Sequence, residues 1–276
     1  MAGLGMSALR KIPVDENFRM DLDGLQAAIA ADKQAGYTPF LIVGTAGTVD
    51  VGAVDDLTAL AAIVKSEDVW FHVDGAFGAL AALSPTHARL TAGIEHADSV
   101  AFDFHKWTQV TYDAGCVLIR DPALHQATFT QATGYLAAAP RGLAGGAPWP
   151  CDLGPDLSRG FRALKVWMTL STYGSELLGG IVNTTCGLAQ RLAARINACD
   201  RLELLAPVKL NIVCFGITGF SDEQTAALVA DLQEEGLFVP STTTIKGRTT
   251  IRAAIVNHRT TAADIDGLVD EILSRV

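Results

Sequence analysis

No two cysteines in this chain stand close together. Cys116, Cys151, Cys186, Cys199 and Cys214 are scattered, odd in number and free of any C-x-x-C pair. That excludes a disulfide framework or a zinc ribbon as the organising device and leaves free thiols. No run reaches the ~18 apolar residues of a membrane span. The opening "MAGLGMSALRKIPVD" lacks the charged-then-apolar order of a secretory leader. Both absences lead to the expectation of a soluble, cytoplasmic protein with no membrane partner. Positive charge is also scarce: 21 Lys and Arg against 30 Asp and Glu give a formal net charge of -9. Nucleic acid and anionic lipid are therefore poor candidate partners, although one pocket can still be locally positive.

What is present describes a globular chain, 49% hydrophobic and 18% charged over 276 residues. Apolar strand runs alternate with helical stretches. "FLIVG" (40–44), "VWFHV" (69–73), "SVAF" (99–102) and "CVLIR" (116–120) read as strands. "DDLTALAAIVKSE" (55–67) reads as a helix capped by Asp55 or Asp56, and a short helix is expected after Pro85. This alternation predicts an α/β fold with a largely parallel sheet, whose ligands sit beyond the carboxyl ends of the strands. Glycine and proline make 139–156 a loop long enough to act as a lid. Helices are expected from Leu157 to about Ala198, with a break near Gly179 and Gly180. Strands at 211–217 and 249–256 and helices at 222–236 and 261–276 complete a smaller α/β unit. The division expected is a larger domain over 1–160, then a helical connection and small domain over 161–276.

Two strand ends carry the chemistry. "HVDGAFG" (72–78) leaves Asp74 at the end of one apolar run, and "DFHKW" (103–107) leaves Lys106 at the end of another. A buried aspartate needs a partner. A lysine beside apolar surroundings is a nucleophile for aldehydes. An aldehyde cofactor with a basic ring nitrogen satisfies both, and pyridoxal 5'-phosphate is such a cofactor. Alone, Asp74 reads as a cap or turn residue and Lys106 as a surface lysine; it is the pair that points to the cofactor.

"WFHVDGAFGA", "ADSVAFDFHKW" and "GCVLIRD" resemble the core of the group II pyridoxal-phosphate decarboxylases, the family of the aromatic-L-amino-acid and glutamate decarboxylases. "GTAGTVDVGAVDDL", "GFRALKVWMTLSTYG" and "TTIRAAIVNHRTT" extend the likeness over nearly the whole chain. The resemblance implies the type I fold of the pyridoxal-phosphate enzymes, like aspartate aminotransferase, here as part of the large domain plus the small C-terminal domain. It implies decarboxylation of an L-amino acid. Lys106 forms the Schiff base, and Asp74 keeps the pyridine ring protonated. Ala76 packs on the ring. Asp103 and His105 lie beside the cofactor and its phosphate, and Thr48 lies near it. His105 also reads as a packed supporting residue. Asp103 sits awkwardly beside a phosphate dianion, unless it works through an intervening donor or orients His105 or a loop amide. Arg252 faces a substrate carboxylate or makes a structural salt bridge, and Trp149 lies on the substrate loop. A homodimer is implied for the full-length parent.

Departures accompany the likeness. The family carries a preceding region with a phosphate-binding loop and a ring-stacking histidine, whereas no histidine precedes His72 here. The chain is thus expected to be the C-terminal portion of such an enzyme, incomplete on its own. Gly47-Thr48-Val49 stands where aromatic decarboxylases often have Gly-Thr-Thr. The 139–156 loop offers Trp149 but no tyrosine after Tyr135, so the acid that family members use is missing, and oxidative deamination is an alternative outcome. Two readings from other classes remain at this level. One is a non-catalytic fragment or interaction module that keeps the fold. The other is a metal-dependent hydrolase using His72, Asp74, Asp103 and His105.

Overall fold

Short apolar runs that end in glycine or aspartate become the strands of the first sheet. The computed structural model describes residues 3–130, 139–143, 145–146 and 148–276. Tyr135 lies outside the described residues, as do Ala144 and Ala147 of the glycine-rich loop. Strands β1 (Leu41–Thr45), β2 (Trp70–Asp74), β3 (Ser99–Asp103) and β4 (Gly115–Ile119) lie in that order. The β1–β2 and β2–β3 pairs are parallel, with Thr45 opposite Asp74 and Asp74 opposite Ala101. The sheet is thus largely parallel, as expected, with one exception: β4 runs antiparallel to β3, with Asp103 opposite Gly115. The reason is the connection. A turn at 104–108 and a short return join β3 to β4, whereas a parallel crossover needs a dozen or more residues.

One face of this sheet is packed. Ile42, Phe71 and Val73 meet Leu57, Leu60, Ile63 and Val64 of α2 (Leu57–Glu67), while Leu25 and Ile29 of α1 (Leu22–Gln34) close the cluster. Asp56 caps α2 by accepting from the Ala59 N–H. Asp55 does something else: its buried carboxylate accepts from Met20 N–H at 2.7 Å and Thr45 N–H at 2.8 Å, tying the N-terminal segment to the end of β1. The opposite face carries Leu41, Val43, Asp74 and Val117, all exposed. Parallel strands are normally covered on both faces; the described residues cover one.

The short helix expected after Pro85 is two 3₁₀ turns, Ala88–Thr91 and Ile94–His96, and a third, Gly78–Leu83, precedes that proline. After α3 (Pro122–Phe129), the long helix α4 (Arg162–Asn197) begins five residues later than expected and breaks at Gly174 (φ 71°, ψ 164°), not at Gly179 or Gly180. Gly179 has a packing role, because a Cβ there would lie 2.2 Å from the Leu83 carbonyl oxygen. The C-terminal half of α4 joins α5 (Asp222–Glu234) and α6 (Ala262–Ser274) against the second sheet. That sheet comprises β5 (Leu202–Leu204), β6 (Ile212–Ile217), β7 (Ser241–Ile245) and β8 (Arg248–Ala254). Its order is β5-β6-β8-β7, antiparallel throughout. No described helix is long and apolar enough to cross a membrane. All five cysteines are free, and burial pushes the Cys186 thiol up to about 12 and Cys214 up to about 11.

Candidate active site

Asp74 and the turn bearing Lys106 lie at the same end of the sheet because β2 and β3 are parallel neighbours. Asp74 ends β2 and pairs with Ala101, two residues before the end of β3. The turn that follows β3 carries Lys106. The Asp74 side chain is exposed; its Oδ1 accepts the Ala76 N–H at 3.1 Å. Among the described residues no hydrogen bond reaches Oδ2. The backbone around it is tightly drawn in: the Asp74 carbonyl accepts from Ala46 N–H at 2.8 Å, and Gly75 N–H donates to the Ala101 carbonyl at 2.8 Å. Gly47 (φ 85°) approaches Gly78 so closely that a Cβ would sit 2.8 Å from the Gly78 Cα.

Both aromatic neighbours of the lysine are held by defined contacts. Trp107 is 1% exposed, stacks on Phe77 at 4.8 Å with ring planes 17° apart, and donates its indole N–H to Thr185 Oγ1 at 3.0 Å. His105 accepts the Ala114 N–H on Nδ1 at 2.9 Å, and its ring lies 4.3 Å from that of Tyr112. An Nδ1 that accepts leaves the proton of the neutral ring on Nε2. Lys106 itself is not enclosed by apolar groups. Its side chain is 40% exposed, and Nζ lies 2.6 Å from Asp103 Oδ2. Asp103 is therefore placed at the amine.

Thr48 Oγ1 accepts the Ala53 N–H at 3.0 Å and closes the loop after β1. Arg252, on β8, reaches across to that same loop. Its Nε–H donates to the carbonyls of Val49 at 2.9 Å and Asp50 at 3.2 Å, and Nη1 donates to Ser241 Oγ at 3.3 Å. Arg252 is thus a clamp between the two sheets, with further N–H groups to spare. The salt bridge weighed for it is not the contact seen. Trp149 is half-buried, and its backbone N–H donates to Asp152 Oδ2 at 2.8 Å. No described hydrogen bond joins it to Asp74, Asp103 or Lys106.

Sequence reasoning missed three contributors. Phe77 supports the indole, and Gln109 bridges the lysine turn to the second sheet by donating to the Val256 carbonyl at 2.8 Å. Ser99 holds His72: its hydroxyl is 2.7 Å from His72 Nδ1 and accepts the Trp70 indole N–H at 2.8 Å. The His-Asp alternation along β2 and β3 was the one available hint for Ser99. The metal reading finds no support: among the described residues no three His, Cys, Asp or Glu side chains gather as a ligand set.

A carboxylate at the end of one strand and a lysine in the turn after its parallel neighbour are the two groups a pyridoxal-phosphate site requires. The profile of the pyridoxal-dependent decarboxylase conserved domain matches residues 1–218, and the chain belongs to that family. It is 34% identical over 262 residues to the aromatic-L-amino-acid decarboxylase of Bacillus atrophaeus, covering 92% of this chain and 54% of that protein. The structure of Oryza sativa TDC with PLP and tryptamine superposes with a TM-score of 0.91 at 26% identity, over 99% of this chain and 58% of that one. Rhodiola rosea 4-hydroxyphenylacetaldehyde synthase gives 0.86 at 27%, over 99% and 57%. The chain spans about half the length of the curated relative it matches.

The residues present fit the family's cofactor. Lys106 would supply the amine for its aldehyde, and Asp74, whose Oδ2 accepts no described hydrogen bond, would be the carboxylate for the ring nitrogen.

Proposed function

We propose that this chain carries the cofactor lysine and ring-nitrogen carboxylate of a decarboxylase acting on an L-amino acid, an aromatic one by preference. The observation that supports the reading is the parallel pairing of β2 with β3, which sets Asp74 opposite Ala101 at one strand end and the turn bearing Lys106 just beyond the other. The family match and the aromatic-L-amino-acid decarboxylase likeness support it.

When bound, pyridoxal phosphate supplies an electron sink for the charge left at Cα as carbon dioxide departs. The chain's own residues do the rest. Lys106 Nζ would hold the cofactor through its aldehyde. Asp74 Oδ2 holds a proton at the ring nitrogen, which an ionised carboxylate favours. Ala76, small and itself the N–H donor to the Asp74 carboxylate, leaves room for a flat ring. The Trp107–Phe77 stack fixes the lysine turn against the Asp74 loop. The N–H groups of Arg252 not used on Val49, Asp50 and Ser241 are donors for a substrate carboxylate. A homodimer is part of the proposal. The N-terminal half of α4 displays Phe161, Leu164, Trp167, Met168, Tyr173 and Leu177 to solvent, an apolar stripe that suits a subunit contact.

A second product is favoured by one feature. The described part of the 139–156 loop carries Trp149 and no tyrosine, and an indole N–H is no practical acid. The likeness to an aldehyde synthase supports the same alternative. The test supplies pyridoxal phosphate and single L-amino acids to the protein and measures carbon dioxide, amine and aldehyde. Carbon dioxide with amine from an aromatic substrate, abolished in Lys106→Ala, is the expected result. Carbon dioxide with aldehyde selects the second product. Cofactor bound with no carbon dioxide from any amino acid overturns the decarboxylase reading.

A further inference from the structure

Asp103 is built into the turn so that its carboxylate meets the lysine amine. It ends β3, and Lys106 is three residues on, with Nζ 2.6 Å from Oδ2. Across the ladder stands Gly115, where a Cβ would lie 3.1 Å from Asp103 Oδ1, so the carboxylate occupies space that any side chain there would contest. His105 flanks the same oxygen, its Nε2 3.9 Å from Oδ2, and its ring is anchored through Nδ1 to the Ala114 N–H. The acceptor, the amine and the flanking imidazole all belong to one short turn.

We propose that Asp103 is a positioning residue for the amine of Lys106, parking Nζ in an ion pair that the cofactor aldehyde must displace, and that it does not serve the phosphate. The inference rests on Lys106 being the cofactor lysine. Addition to an aldehyde uses the Nζ lone pair: a C–N bond forms, the amine sheds its protons, and the carbonyl oxygen leaves as water. An amine held to a carboxylate must leave that partner first. With Asp103 21% and Lys106 40% exposed, the pair is only partly shielded from water, so its grip is modest. Removing the charge should speed capture of Lys106 severalfold, about 3- to 10-fold.

The test compares capture by pyridoxal phosphate and by pyridoxal, which lacks the phosphate. Each is followed by borohydride reduction and peptide mass spectrometry, in wild type, Asp103→Asn and Asp103→Ser. Asn is nearly isosteric; a thermal melt checks that each variant is folded, and Ser offers a second removal of the charge. Faster capture at Lys106 with both aldehydes, in both variants, is expected, while Asp103→Glu should restore slow capture. Unchanged or slower capture with both aldehydes overturns the inference. So does a change confined to pyridoxal phosphate, which would place Asp103 at the phosphate. Capture at other lysines in the wild type instead overturns the reading of Lys106 beneath it.

Discussion

Phe77 and Trp107, thirty residues apart in the chain, stack at 4.8 Å with planes 17° apart, and so join the loop after Asp74 to the turn that bears Lys106. Trp107 is buried and hydrogen-bonded to Thr185, so it also pins both segments to α4. Truncation removes stack, packing and hydrogen bond together. Trp107→Ala should cost about 3–5 kcal/mol in urea unfolding. Trp107→Phe keeps a ring against Phe77 and loses the donor, costing about 1–2 kcal/mol. Equal losses in the two variants would mean that the ring contact contributes nothing.

Adjacent glycines in α4 should respond in opposite directions. Gly179→Ala drives a methyl into the Leu83 carbonyl, at 2.2 Å before relaxation. A shift of backbone is required, at a cost of about 1–3 kcal/mol. Gly180→Ala meets no atom within 4 Å and should stabilise the helix by up to about 1 kcal/mol. Thermal melts of the two variants are the check.

Asp74 should matter to chemistry and hardly at all to folding. Its side chain is exposed and its one recorded hydrogen bond is to the next loop residue but one. Asp74→Ala is expected to lower turnover of the cofactor-loaded enzyme about 10²-fold, near 3 kcal/mol of transition-state free energy. The melting temperature should change little. Near-normal turnover would remove Asp74 from the mechanism.

His72 should give stability a pH dependence of its own. Burial holds its pKa below 6.5, opposed in part by the nearby Asp74 carboxylate. Between the folded and unfolded values the unfolded chain binds more protons, so stability falls as pH drops from above 6.5 and levels off below the folded value. His72→Gln should flatten this segment in denaturant titrations between pH 8 and pH 5. That window lies above the range in which the paired carboxylates Asp15, Asp113, Asp266 and Glu235, all held below their usual values by arginine partners, take up protons. An unchanged slope would remove His72 as its source.

The strand ends were legible because each apolar run stops at a residue that carries chemistry, as Val73 gives way to Asp74. Whether β4 would run parallel was not, since direction depends on the length of return chain and not on the run itself. The α4 break fell at Gly174, because a lone glycine and a glycine pair look alike until packing shows that Gly179 is needed against Leu83. Helix α1 and strands β5 and β7 carry weak patterns: β7 is a run of threonines whose alternate residues face solvent. Phe77, Ser99 and Gln109 were missed because each acts through a partner brought near only by folding. The contact of Asp103 with the Lys106 amine likewise follows from the turn's geometry.

The account stands most directly on one mapping. The protein is incubated with pyridoxal phosphate, reduced with borohydride and digested, and the pyridoxyl group is located by mass spectrometry. The expected result is a single modified peptide containing Lys106, absent from Lys106→Ala. A pyridoxyl group on Lys33, Lys65 or Lys165, with Lys106 unmodified, would contradict it.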